Sequence, residues 1–148
     1  MMDGLKQLIA YTNWGNRLWL DFVHANAPND DYLTKMISHI YCAERIWFQR
    51  IHEEPLDTGI FETLPKAELE AIADRTETRY AEALKADLAQ VFHYRKLNGE
   101  PMASTLLDIL HHLITHGSHH RGQMARHVSQ AGITPPESSY IGFSRLQK

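Results

Sequence analysis

The chain has 148 residues, of which 43% are hydrophobic, and this is enough for one domain with a sizeable core. Its 15 Lys and Arg residues against 18 Asp and Glu residues give a formal charge of −3, without the basic cluster that a nucleic-acid partner requires. Cys42 is the only cysteine, which excludes an internal disulfide and favours a reducing compartment.

The start of the chain also argues against export. Residues 1–10 lack a cationic segment followed by an apolar run, and no stretch is long enough to span a bilayer. We therefore expect a cytoplasmic protein of one domain, residues 1–148, with no nucleic-acid partner and no membrane partner.

The first half of the chain predicts two amphipathic helices. Apolar residues recur at spacings of three and four over about Gly4–Ala25, and Pro28 follows the end of this pattern. A second stripe predicts a helix over about Asp31–Glu53, which Pro55 ends. His39 lies on the flank of the apolar stripe of this second helix.

The second half predicts two further helices with an extended segment between them. The third helix, over about Lys66–Leu88, is more polar than the first two. Asn98-Gly99 is a strong turn signal, so we expect a small hairpin or extended loop between Val91 and Met102. Ser104 is a good N-cap for the last long helix, predicted over about Thr105–Gln130.

The C-terminal tail is predicted to be irregular. Gly132 suits the position after the last helix, and Pro135-Pro136 prevent its continuation. Tyr140, Ile141 and Phe143 are expected to pack back onto the body of the protein. Four long amphipathic helices with one long crossover connection predict an all-α four-helix bundle.

The strongest chemical signal is a pair of histidines in the last helix. His116 and His120 are four residues apart, so their imidazoles lie on one helix face and can share a transition metal. His39 is the best third ligand, because it lies in mid-helix beside a core stripe. His112 is the reserve ligand, and Cys42 could serve as a soft ligand or as a small core residue.

Two interpretations of these histidines remain open from spacing alone. Three neutral imidazoles around one ion would leave a fourth position for water or substrate, as in catalytic zinc sites. The alternative is a set of histidines at the edge of the core whose hydrogen bonds are satisfied without a metal.

Three blocks of the sequence resemble the DinB/YfiT-like family of metal-binding bundle proteins. They are Tyr11–Asn16 in the first helix, His39–Trp47 in the second and His116–Gln123 in the last. The Asn98-Gly99 turn and the segment Gln130–Gly132 also fit, so the similarity spans nearly the whole chain.

The resemblance implies a fold, a metal site and an activity. The fold is a four-helix bundle with up-up-down-down topology, and the site is a divalent metal held by three histidines, here His39, His116 and His120. The implied activities are metal-dependent hydrolysis and transfer of a low-molecular-weight thiol. The family also carries a damage-inducible name, and the resemblance is compatible with a homodimer. Zinc and nickel are the ions that we expect first, since imidazole suits both.

Other residues in these blocks have two interpretations each. Glu44 could orient a ligand histidine or act as a general base, or it could pair with an arginine at the edge of the bundle. Arg121 and Gln123 belong to the last block, and Gly117 and Gly122 lower its helix propensity. Close packing beside the metal would explain the two glycines.

Two functions follow from the sequence. The first is an enzyme that acts on a small molecule at the open metal position. The second is a non-catalytic metal-binding protein of the stress response, in which the ion stabilises the bundle.

Overall fold

The structure is a computed structural model that describes residues 2–148. These residues are mostly helical, with five helices and one two-stranded sheet. The elements in chain order are α1 Met2–Asn26, α2 Asp31–Ile51, α3 Lys66–Ala83, β1 Val91–Arg95, β2 Pro101–Thr105, α4 Leu106–Gln130 and α5 Tyr140–Leu146. None of the helices in this part of the chain has the length and apolar character needed to cross a membrane.

Side-chain caps fix where the two helices that carry the histidines begin. The Asp30 carboxylate accepts a hydrogen bond from the Leu33 amide at 3.0 Å, which starts α2. Thr105 accepts from the Asp108 amide at 3.1 Å and starts α4. The predicted N-cap, Ser104, was wrong by one residue: Ser104 lies within β2 opposite Phe92, and Thr105, the last residue of that strand, caps α4.

The predicted hairpin is confirmed. β1 and β2 are antiparallel, with Val91 opposite Thr105 and Arg95 opposite Pro101. Gly99 has φ +85° in the turn between them, a left-handed conformation that glycine adopts without steric cost.

The third helix is shorter than predicted and ends at Ala83 rather than near Leu88. The chain turns there, and the carbonyls of Leu88 and Gln90 accept hydrogen bonds from the amides of Leu107 and Leu106. These bonds anchor the chain that leaves α3 to the first turn of α4, and they compete with continuation of the helix.

The tail is not irregular throughout, since α5 occupies Tyr140–Leu146. Phe143 is buried and its ring lies 5.5 Å from that of Trp14 in α1, as expected of a residue that packs back. The same expectation was wrong for Ile141, which is 57% exposed. The Ser139 side chain caps this helix by accepting from the Gly142 amide.

Buried apolar side chains form two clusters. The first apolar cluster comprises Trp19, Leu20, Val23, Leu33, Ile37, Ile40, Tyr41, Leu69, Ile72, Ala73, Met124 and Val128. The second apolar cluster comprises Leu5, Ile9, Phe48, Tyr80, Ala83, Leu106, Ile109, Leu110, Leu113 and Ile114.

A buried polar layer lies between the two clusters. On each long helix its residues fall between those of the first cluster and those of the second. Its members are Thr12 and Asn16 of α1, Glu44 of α2, Thr76 of α3 and Arg121 of α4. Polar side chains near the middle of the long helices therefore separate the first apolar cluster from the second.

The order of the clusters along each helix gives the directions of the helices. α1 and α4 run from the second cluster to the first, whereas α2 and α3 run the opposite way. The up-up-down-down order was therefore wrong. Residues 27–30 cannot carry the chain back along α1, because four residues span at most about 14 Å and a 25-residue helix is about 37 Å long.

Candidate metal centre

Three histidines from two helices meet at one point of the structure. His39 comes from α2, whereas His116 and His120 lie one turn apart on α4. The Nε2 atom of His116 lies 3.0 Å from Nε2 of His39 and 3.1 Å from Nε2 of His120. The structure thus brings together the three residues that the sequence selected as ligands, with one ligand atom of each within 4.8 Å of the others.

Helix packing explains how they meet. α2 and α4 are in direct contact, and His39 is buried in the middle of α2. His116 and His120 project from one face of α4, where both rings are half-buried. A ring from one helix therefore faces a stacked pair from the other.

Hydrogen bonds to the outer ring nitrogens determine two of the tautomers. His39 Nδ1 lies 2.8 Å from the carbonyl oxygen of Ile60, and His120 Nδ1 lies 2.7 Å from Oε1 of Gln123. Both oxygens can only accept, so each Nδ1 carries the proton. In the neutral imidazoles the Nε2 lone pairs of His39 and His120 are therefore directed at the point where the three rings meet. We call His39, His116 and His120 the histidine cluster.

The surroundings of His39 and His116 favour the neutral form of these two rings. Burial lowers the pKa of His39, and the neighbouring His120 lowers it further. Burial, followed by the charges of His120 and His39, lowers the pKa of His116 to about 3. Neutral imidazole is the form that binds a metal, so these two rings need not lose a proton first.

The donor set fits a divalent transition metal. Four-coordinate zinc with Zn–N bonds of about 2.0–2.1 Å separates its ligand nitrogens by about 3.3 Å. The two measured separations, 3.0 and 3.1 Å, are close to that value. If His116 Nε2 carries a proton, it can donate to the lone pair of His39 or of His120, but to only one of them at a time. A cation would accept the Nε2 lone pairs of all three histidines at once.

An aromatic ring covers one side of the cluster. Phe61, in the connection between α2 and α3, stacks on the His39 ring with centroids 4.6 Å apart and planes 7° apart. The Lys35 ammonium lies 5.7 Å from the centre of the Phe61 ring. The connection therefore both orients His39, through Ile60, and shields it.

The other two candidate ligands lie outside the group of converging atoms. The His112 ring is 5.5 Å from that of His116, one turn back along α4. Cys42 is buried, and its thiol faces Ser38 Oγ and the Glu62 carbonyl at 3.8 and 3.7 Å. Among the residues that the structure describes, the group of potential ligands contains only the three histidines.

Glu44 makes its hydrogen bond in the polar layer. Its Oε1 accepts from Asn16 Nδ2 at 2.6 Å, and Asn16 Oδ1 accepts from Arg121 Nη1 at 2.6 Å. Burial raises the pKa of Glu44 to about 7, against the opposing effects of Tyr80 and Arg121. No hydrogen bond within residues 2–148 joins Glu44 to a cluster histidine, so its role as a general base remains a prediction.

The polar layer links the two helices that supply the histidines. Asn16 of α1 bonds Glu44 of α2 on one side and Arg121 of α4 on the other. A Cβ added to Gly117 would lie 3.0 Å from Arg121 Nη1, and one added to Gly15 would lie 2.9 Å from Arg121 Nε. Both glycines therefore make room for the buried guanidinium.

Sequence reasoning did not identify two contributors to the cluster. Ile60 and Phe61 lie in an irregular connection, where no periodic pattern points to a particular face. Gln123 was recognised only as part of a sequence block, although its i, i+3 spacing from His120 is a usable signal.

Comparison with known proteins identifies the family. The family model for the DinB family matches residues 1–148, the whole chain. The chain therefore belongs to the DinB family. None of the curated proteins searched matches it.

Proposed function

We propose that this DinB-family protein holds one divalent transition metal through His39, His116 and His120 and uses it in metal-dependent catalysis. The observation that carries the proposal is the convergence of three Nε2 atoms, two of which are unprotonated in the neutral rings. Zinc and nickel are the ions that we propose first, because three imidazoles suit both.

The chain's own residues prepare this site before an ion arrives. Ile60 and Gln123 hold the rings of His39 and His120 in the tautomer that a metal needs. Phe61 excludes water from one face of His39. When bound by three protein ligands, such an ion acts as a Lewis acid and lowers the pKa of a water or thiol at its open position.

We further propose that the four long helices form a four-helix bundle within one domain, residues 1–148. Two features support this arrangement: α1 and α2 each contact all three other long helices, and both apolar clusters draw on all four. The helix directions then give up-down-down-up topology, with the long α2–α3 connection as the crossover.

We infer hydrolysis or transfer of a low-molecular-weight thiol as the reaction class. Both reactions can use the single open position that three protein ligands leave on the ion. Support comes from the donor set and from membership of the family.

A comparison of metal-loaded and metal-free protein tests this function. Zinc-loaded and nickel-loaded protein should turn over a member of a panel of ester substrates and thiol–acceptor pairs, and protein treated with a chelator should not. His116→Ala should lose both the metal and the turnover. His111→Ala, an exposed change on the same helix, should retain both.

The outcomes separate the two candidate functions. Metal binding without turnover across the panel would favour the non-catalytic metal-binding protein. Turnover by His116→Ala without bound metal would contradict metal-dependent catalysis.

A further inference from the structure

Aromatic rings extend from the histidine cluster along the surface. The ring of His112 lies 5.5 Å from that of His116 and 5.6 Å from that of Trp47, measured between centroids. Trp47 in turn lies 4.8 Å from Tyr94 of β1. We call His112, Trp47 and Tyr94 the aromatic strip.

The rings of this strip are partly exposed and well anchored. His112 is exposed, and Trp47 and Tyr94 are half-buried. The Tyr94 hydroxyl lies 3.0 Å from Ser104 Oγ on the paired strand, which fixes its ring across the hairpin. The strip therefore offers π-faces and edges in a fixed arrangement beside the candidate metal site.

The guanidinium group of Arg50 lies at the end of the aromatic strip that is farther from the histidine cluster. The Arg50 guanidinium carbon lies 4.7 Å from the centre of the Trp47 ring and 5.0 Å from that of Tyr94. Stacking on two rings holds its planar group in place, so little side-chain entropy remains to be lost when an anion binds.

Arg50 has no acidic partner among the residues that the structure describes, whereas Arg17 and Arg45 each pair with a carboxylate. Its stacking on two rings distinguishes it from the exposed arginines that also make no ion pair within residues 2–148, which are Arg75, Arg95, Arg126 and Arg145. Within residues 2–148 Arg50 makes no ion pair, and only Nη2 donates to a protein acceptor, the Arg95 carbonyl at 3.2 Å. Burial lowers its pKa, with no carboxylate to oppose that effect. A guanidinium has five N–H donors, so several remain for a ligand.

The separation of Arg50 from the cluster sets the length of a ligand that would reach both. Arg50 follows His39 by eleven residues on α2. At 1.5 Å per residue this is about 16 Å along the helix axis. The strip covers the space between these two points.

On the basis of the proposed function, we propose that the substrate is an elongated organic anion. Its metal-binding atom lies at His39, His116 and His120, its flat or apolar middle lies on the aromatic strip, and its carboxylate pairs with Arg50. Arginine binds a carboxylate through two parallel hydrogen bonds, which gives orientation as well as affinity.

Three hydroxamates, which bind metals, test this assignment on zinc-loaded protein by isothermal titration calorimetry. Acetohydroxamate reports on the metal site alone. A hydroxamate joined through a flat biphenyl spacer to a terminal carboxylate should reach Arg50, and the same molecule with a terminal amide is its neutral match. We expect the carboxylate probe to bind about tenfold more tightly than the amide probe.

Two matched variants assign the preference to one residue. Arg50→Gln should abolish the preference for the carboxylate and leave acetohydroxamate and the amide probe unchanged. Arg95→Gln removes a neighbouring charge on the hairpin that does not stack on the strip, and it should retain the preference.

Each other outcome overturns the inference. Equal affinity of the two long probes for the wild type contradicts it, as does a preference that survives Arg50→Gln. If Arg50→Gln weakens the amide probe as much as the carboxylate probe, Arg50 only holds the hairpin in place. If acetohydroxamate itself does not bind, the proposed metal site fails, and this inference fails with it.

Discussion

Glu44 is a carboxyl group in the buried polar layer, and its protonation should couple stability to pH. It faces Arg121 of α4, Tyr80 and Glu77 of α3, and Tyr41 of its own helix. The Tyr80 hydroxyl is close enough to lower the pKa of Glu44 but makes no hydrogen bond of normal geometry within residues 2–148. Burial outweighs these effects, so the folded protein keeps this proton up to about pH 7.

The sign of the pH dependence follows from that raised pKa. An unfolded chain loses the proton near 4.5, so between about pH 4.5 and 7 the folded state binds more protons and stability falls as pH rises. Above pH 7 the loss amounts to about 3 kcal/mol of the free energy of unfolding, and Glu44→Gln should remove it. Urea unfolding at pH 5 and pH 8 measures it: the variant should be the more stable protein at pH 8.

Glu82→Gln is the matched control for this prediction. Glu82 is exposed on the same helix as Tyr80 and Glu77, and its change should leave the pH profile of stability nearly unaltered. A Glu44→Gln variant that is less stable than the wild type at pH 8 would show that the charged carboxylate is needed in the fold.

The glycines of α4 give a second prediction at single residues. In Gly117→Ala the new Cβ would lie 3.0 Å from Arg121 Nη1, and Arg121 cannot withdraw because its other edge packs against Gly15. Overpacking costs about 1–3 kcal/mol, which exceeds the gain of up to ~1 kcal/mol in helix propensity. Urea unfolding in the presence of a chelator should therefore show destabilisation.

Gly122→Ala should have the opposite effect. A Cβ at Gly122 meets no atom within 4 Å, so only the gain in helix propensity remains. Equal stabilisation by both changes would mean that the room beside Arg121 is not needed.

Residue spacing predicted part of the site and missed the rest for a clear reason. The i, i+4 spacing of His116 and His120 follows from helix geometry alone, so sequence could predict their shared face. Phe61 stacks on His39 from a connection without regular structure, and no spacing rule applies there. Gly117 is needed because the Arg121 guanidinium packs against it, and the direction of that side chain is set by tertiary packing rather than by residue spacing.

Among the elements, the short C-terminal helix α5 packs on α1 through one buried side chain. Phe143 is buried against the rings of Tyr11 and Trp14, at 5.8 and 5.5 Å. Phe143→Ala should destabilise the protein by about 3 kcal/mol, as large-to-small changes in a core do. Ile141→Ala, an equally apolar but exposed position on the same helix, should change stability by less than about 0.5 kcal/mol.

Thermal unfolding followed by circular dichroism distinguishes these two variants. If they have the same effect, α5 does not pack on α1 as described.

Sequence predicted the long helices better than the ends of elements. The apolar stripes of α1, α2 and α4 are long, and their predicted bounds differ from the observed ones by at most two residues. The end of α3 was missed because amides of Leu106 and Leu107 hold the chain that follows it, an interaction between distant residues. The short tail helix has too few residues for a periodic signal.

For the whole molecule, a bound metal should raise stability because it joins α2 to α4. An ion present at 100 times its Kd stabilises the folded state by about 2.7 kcal/mol. In a chain of this size that corresponds to a rise in Tm of roughly 5–10 °C. Differential scanning fluorimetry with zinc and then with a chelator should show this rise and its reversal.

His39→Ala supplies the control for that shift. It leaves the pair on α4 intact but removes the link to α2, so zinc should raise its Tm much less than that of the wild type. A full shift in His39→Ala would place the ion on the α4 pair alone.

The directions of the helices were the part of the fold that family resemblance got wrong. Short connections decide them: residues 27–30 make α1 and α2 antiparallel, whereas residues 52–65 are long enough for α3 to run parallel to α2. The sequence already contained those lengths. The contact between α2 and α4 that joins His39 to the other two histidines could be seen only in three dimensions.

Zinc content per chain in untagged protein, measured by elemental analysis after zinc loading and dialysis, tests the central claim most directly. The wild type and His111→Ala should each retain about one ion, and His39→Ala, His116→Ala and His120→Ala should each retain far less. Retention of one ion by all three variants, or of none by the wild type, would contradict a metal centre built from these histidines.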